Sequence, residues 1–164
     1  MSRAEVRDAV VTYLRDAAIP NLNKIHTTFP KLAQLQENAT AGQLFRAAAV
    51  VYIMSESESR IAVGGASSGW KRIDYEVDLQ LFTEGFYPKA EDTMADFDAL
   101  VDAVKDRLRS GGHRLGKTDG SVIWEAAEGT GSVSVSYGEP TMNDFGTVNG
   151  WVSIVFRVTQ MIQA

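Results

Sequence analysis

One stretch limits the folds open to this chain more than any other: residues 70–82, WKRIDYEVDLQLF. From Arg72 onward, polar and apolar side chains alternate without a break. Ile73, Tyr75, Val77, Leu79 and Leu81 project to one side; Arg72, Asp74, Glu76, Asp78 and Gln80 project to the other. A period of two sustained this long is that of a β-strand with one buried face. Residues 83–87 then read as a short loop and residues 88–109 as an amphipathic helix. Ala90, Met94, Phe97, Leu100, Val101, Val104 and Leu108 fall on one helical stripe. Pro88 suits a first helical position, acids Glu91 and Asp92 stand near the start, and Arg107 and Arg109 stand at the end, as the helix dipole favours. Ser110-Gly111-Gly112 stops the helix.

The remainder of the chain is read around this strand–loop–helix unit. Residues 2–17 form a first helix. Ser2 and Glu5 have capping-box spacing, Val6, Ala9, Val10, Tyr13, Leu14 and Ala17 share a face, and Pro20 ends it. Residues 23–27 read as a short strand or extended arm, and residues 32–38 as a helical turn. Residues 44–54, LFRAAAVVYIM, are apolar on both alternating faces apart from Arg46, as in a central strand or one at a subunit contact. Residues 55–69, SESESRIAVGGASSG, read as a long mobile loop. Residues 122–128 and 132–137 read as two strands around the turn at 128–131. Asn149-Gly150 is a tight-turn signal closing a loop over 143–150. Residues 151–162 form the last strand, with Val152, Ile154, Phe156, Val158 and Ile162 on one face and Ser153, Arg157 and Thr159 on the other. The order of helices and strands predicts one α+β domain over residues 1–164, a mainly antiparallel sheet with two amphipathic helices packed on it.

Composition excludes several classes. The chain has 164 residues, a net charge of −5 and no cysteine. An acidic domain lacks the basic face that grips phosphates, and a cysteine-free chain has no disulfides, thiolate metal sites or thiol nucleophiles. No basic stretch followed by an apolar one stands at the N-terminus, and no apolar window is long enough to span a membrane, so no signal peptide and no membrane partner are expected.

Chemistry is sparse. His26 and His113 are the two histidines, and neither has a metal-ligand neighbour three or four residues on. Gly129-Thr130-Gly131 lacks the later glycine of a phosphate loop, and Lys117-Thr118 lacks the upstream glycines. Asp74, Glu76 and Asp78 share a strand face that could hold a divalent cation, though the solvated polar face of a strand is the commoner reason for such a pattern. No nucleophile, base and orienting group can be assembled, so no enzyme and no cofactor are expected.

The order of elements carries the functional expectation. A helix ends at Ile19-Pro20 and an apolar arm at Phe29-Pro30. Then come a strand, a long loop, the strand at 70–82 and a long helix centred on Phe97-Asp98-Ala99-Leu100-Val101, followed by a hairpin and a closing strand. This arrangement resembles the tail terminator proteins of long-tailed bacteriophages and of related tail-derived particles. The resemblance covers most of the chain but has no single diagnostic motif. It implies a structural virion protein in the neck region of the tail, assembled in the host cytoplasm. Such proteins form a hexameric ring on the head-proximal end of the tail tube, end tube polymerisation and join the head. The implied partners are further copies of the chain, the tail tube protein, a head-completion or connector protein, and genomic DNA that passes through without specific binding. The residues expected at subunit or tube contacts are Val51 and Ile53 in the strand, and Glu56, Glu58, Arg60, Ile61 and Val63 in the loop. Other readings stay open: a different head–tail connector or tail tube ring subunit, a small cation- or ligand-binding α+β domain, or a dimeric regulatory domain.

Overall fold

The computed structural model describes residues 2–28, 42–61, 69–110, 122–124, 133–144 and 146–163. In chain order these form α1 (Arg3–Arg15), β1 (Leu22–His26), β2 (Phe45–Arg60), β3 (Trp70–Gly85), α2 (Ala90–Ser110), β4 (Val122–Trp124), β5 (Ser134–Tyr137), β6 (Thr141–Met142) and β7 (Val148–Gln163). All seven strands belong to one sheet of order β1-β2-β3-β7, and β4, β5 and β6 also pair with β7. Every pairing is antiparallel except β1 with β2, which is parallel. The expected α+β class, two helices on a mainly antiparallel sheet, is the class observed.

β2, β3 and β7 have sixteen residues each. At about 3.3 Å per residue such strands run roughly 50 Å. α1 has 13 residues and α2 has 21, about 20 and 30 Å at 1.5 Å per residue. The helices therefore cover only part of the sheet's length.

The covered face holds the core. Ile73, Tyr75, Val77, Leu79 and Leu81 of β3 are buried there, flanked by Ala47, Ala49, Val51 and Ile53 of β2 and Val152, Ile154, Phe156 and Val158 of β7. Val6, Val10 and Leu14 of α1, and Phe97, Leu100, Val101, Val104 and Leu108 of α2, complete the same cluster. Burial of each Val, Leu or Phe contributes about 1.5–3 kcal/mol. The capping box expected at Ser2 is present, with Ser2 Oγ accepting from Glu5 N–H and the Glu5 carboxylate accepting from Ser2 N–H.

Several expectations are corrected. α1 stops before residue 17, because Ala18 turns into the left-handed region at φ +46° well ahead of Pro20. Residues 83–85 are not loop but the end of β3, paired with Phe45–Ala47 on one side and with Gly150, Asn149 and Val148 on the other. Residues 55–60 are likewise not loop: β2 continues through Arg60, in register with Lys71–Glu76. The alternation of Ser and Glu there is a strand pattern without an apolar face, because this half of β2 is exposed on both sides. β4 and β5 do not pair with each other, as the expected hairpin requires. β4 and β5 both run antiparallel to β7, so they point the same way and, with β6, make one interrupted edge strand. Asn149-Gly150 lies inside β7; the turn is earlier, where Gly146 sits at φ +75° and donates to Asn143 O at 2.9 Å. The expected helical turn at 32–38, the glycine turn at 128–131 and His113 lie outside the described residues.

Candidate functional site

The expected contact residues divide at a bulge in β2. Ile53 pairs with Val77, but Ser55 pairs with Glu76, so Met54 is an extra residue. A bulge of one residue exchanges the two faces of a strand. Before it, Val51 and Ile53 face the helices and are 1% and 3% exposed. Their expected place at a subunit contact is therefore corrected: they belong to the core, and the outward side chains here are Tyr52 and Met54, 43% and 46% exposed. Past the bulge, Glu56 stands opposite Tyr75 and Glu58 opposite Ile73, on the helix-bearing side but exposed. Burial raises the Tyr75 pKa above its usual value, and the Glu56 and Glu58 carboxylates add to the shift. Glu58 pairs with Lys71 Nζ at 2.6 Å. Arg60 opposes Lys71, and Ile61 N–H donates to Trp70 O at 2.9 Å. Ile61 and Trp70 are 48% and 46% exposed. Val63 lies outside the described residues.

β2 is also an edge strand over this half. The last pairing with β1 is His26 with Val50, and beyond it no described strand adjoins that side of β2. Arg3 Nη2 donates to Ile53 O at 2.7 Å, satisfying one carbonyl of the open edge. Unpaired edges invite added strands, and charged side chains such as Arg3, Glu56 and Glu58 restrain that pairing.

The three carboxylates on the other face of β3 are already engaged separately. Asp74 accepts from Arg72 Nε at 2.8 Å and from the Thr159 hydroxyl. Burial works to raise its pKa, but the Thr159 hydrogen bond and the Arg72 guanidinium outweigh it, and the net shift is downward. Glu76 accepts from Ser55 Oγ at 3.1 Å. Asp78 is buried rather than solvated, accepting from Ser153 Oγ at 2.6 Å and Gln80 Nε2 at 2.7 Å. Same-face neighbours on a strand stand about 7 Å apart, too far for three carboxylates in a row to close on one ion. Among the described residues, no three of His, Asp and Glu form a group that could hold a metal. His26 lies on β1; burial first, then Lys24 and Arg15, lower its pKa.

A second exposed apolar surface, missed in the sequence, lies at the other end of the sheet. Met142 pairs with Val148, Val148 with Gly85, and Gly85 with Phe45, so these residues form one row across the base. Met142 is 66% exposed and Tyr137 57%. Met94 joins them at 36%, although it belongs to the apolar stripe of α2. The residue turned inward in that part of α2 is Thr93, because Gly85 has no side chain to oppose it. Gly150 similarly leaves room for Phe97, which meets Tyr137 edge to face at 6.2 Å between ring centroids. The signal available in the sequence was weak, since Tyr137 and Met142 sit on strands of four and two residues.

No protein-family model matches the chain, and no curated protein matches it. Among solved structures, one chain it is similar to is a sheath/tube terminator of an extracellular contractile injection system, determined in the extended state. The identity is 10% and the TM-score 0.37, covering 96% of this chain and 57% of the other. This chain thus spans little more than half the length of that terminator. A likeness this slight carries no argument, and the functional reading rests on the residues themselves.

Proposed function

We propose that this chain is a structural subunit that assembles with copies of itself into a ring on the head-proximal end of a phage-type tail tube, ends tube growth and offers a surface for joining the head. The observation that carries this reading is the outer half of β2. Residues 54–60 are exposed on both faces of a strand that β3 pairs on one side and no described strand pairs on the other, and the adjoining Tyr52, Ile61 and Trp70 place apolar area at the surface. A strand held rigid by its neighbour yet left uncovered is suited to contact another molecule. The order of elements that resembles tail terminators supports the same reading. The role we propose is structural rather than catalytic, in keeping with two carboxylates of the sheet that are engaged by neighbouring hydroxyls, Asp74 by Thr159 and Asp78 by Ser153.

Tube growth tests the reading. Tail tube protein polymerised with increasing amounts of this chain should give shorter tubes, each closed at one end. Tubes of unchanged length and two open ends would overturn the proposal.

A further inference from the structure

We propose that the cleft between the start of α1 and the edge of β2 binds an oxyanion, a carboxylate or phosphate group carried on a larger body. This site is independent of the assembly reading above.

The cleft exists because β1 stops short of its neighbour. The last pairing is His26 with Val50, and the chain then leaves the sheet at Thr27 and Thr28. β2 runs on past them, and α1 begins beside that stretch, where Arg3 Nη2 donates to Ile53 O. An open cleft of about 500 Å³ remains. Arg3 and Arg7 line it from α1, Thr27 and Thr28 from the end of β1, and Tyr52 from β2. No described carboxylate lines it, although the chain as a whole carries a net charge of −5.

The lining is rich in donors. Arg3 and Arg7 are four residues apart, so their side chains share a face of α1. A guanidinium carries five N–H groups and no acceptor, and its planar fork matches a carboxylate or a phosphate. Arg3 gives Nη2 to a neutral carbonyl at 2.7 Å and pairs with no carboxylate among the described residues. That bond holds the guanidinium at the cleft while leaving its charge unmatched, which is preorganisation for an anion. Arg7 reaches Asp8 from Nε and Nη2, both at 3.3 Å. Asp8 is exposed, and an exposed pair of this length contributes little, so an anion in the cleft competes for Arg7. Glu5, the remaining carboxylate of this part of α1, accepts from Ser2 N–H at the helix cap. Thr27, Thr28 and Tyr52 add hydroxyl groups. Sites of roughly 300–1,000 Å³ take whole organic ligands rather than single ions. The anionic group therefore comes attached to a larger body, for which Ala4 and the Tyr52 ring supply apolar wall.

Calorimetric titration tests this with two probes, inorganic phosphate and a tri-glutamate peptide blocked at both ends. At least one should bind saturably, and more weakly as sodium chloride is added. Arg3→Gln and Arg7→Gln, each checked for native circular dichroism, should each weaken that binding about tenfold, as loss of a charged hydrogen bond does. Arg7→Gln leaves the bond from Arg3 to Ile53 in place, so its effect is not one of loosening the β2 edge. Binding of phosphate alone would mark a phosphorylated small molecule as the ligand, and binding of the peptide alone an acidic polypeptide segment. Either result, or both, supports the site. Saturable binding of neither probe, or binding that both variants leave unchanged, would overturn the inference.

Discussion

Tyr13 and Arg107 hold α1 and α2 together by bonding to each other's backbone. The Tyr13 hydroxyl donates to Arg107 O at 2.9 Å, Arg107 Nη2 donates to Tyr13 O at 2.9 Å, and the guanidinium carbon lies 3.9 Å from the centroid of the Tyr13 ring. The Arg107 fork thus donates to a carbonyl in the last turn of α1. Arg107→Ala removes both donors and the ring contact, and should lower unfolding free energy by about 2 kcal/mol. Tyr13→Phe keeps the ring and should cost about 1 kcal/mol. Urea unfolding below the assembly concentration measures both; a smaller loss for Arg107→Ala than for Tyr13→Phe contradicts the clasp.

Gly85 and Thr93 show how tightly α2 seats on the sheet. A β-carbon at Gly85 would stand 2.1 Å from Thr93 Cγ2 and 2.7 Å from its Cβ. Gly85→Ala should therefore destabilise by about 1–3 kcal/mol, as overpacking does. Thr93→Ala in the same chain should return part of that loss. Strictly additive losses in thermal unfolding would mean that the two residues do not meet.

His26 should make the fold sensitive to mild acid. Its Nε2 is buried without a hydrogen-bond partner, and burial, Lys24 and Arg15 all lower its pKa from 6.5. The unfolded chain then takes up the proton first as pH falls. Stability is full above about pH 6.5 and declines as pH falls through the folded value. His26→Gln should flatten the stability profile between about pH 7 and pH 5. An unchanged slope contradicts this role.

Asp74 works at lower pH and with the opposite charge. Its folded pKa is depressed below 3.8 by Thr159 and Arg72 against the effect of burial. The stability this supplies is present above about pH 4 and is lost as pH falls through the folded value. Asp74→Asn should be less stable than the unaltered chain at neutral pH, with the gap closing toward pH 2. A gap independent of pH would show that the ionised carboxylate is not what matters.

Hydrophobic alternation made the core strands legible. Ile73 to Leu81 and Val152 to Val158 were assigned to the correct face because one side of each is buried. The helices were legible for the same reason, through Val6, Val10 and Leu14 and through Phe97 to Leu108. The outer half of β2 was not, because Ser55 to Arg60 buries neither face and so lacks the contrast on which periodicity depends. Its strand character comes from six register partners on β3, Lys71 to Glu76, a long-range pairing that local composition does not encode. The turn was misplaced at Asn149-Gly150 because Gly150 serves close packing against Phe97 rather than a reversal of the chain. The candidate contact residues differ in burial. Glu56, Glu58, Arg60 and Ile61 are exposed, whereas Val51 and Ile53 are core. The base surface was hidden because Met94 falls on the apolar stripe of α2, whereas the residue turned inward there is Thr93.

Negative-stain electron microscopy of the purified protein tests the central claim most directly, across a range of concentrations, alone and mixed with tail tubes. The account predicts rings with a central hole, or tubes bearing a ring at one end only. Protein that stays monomeric at every concentration and leaves both tube ends bare would contradict it.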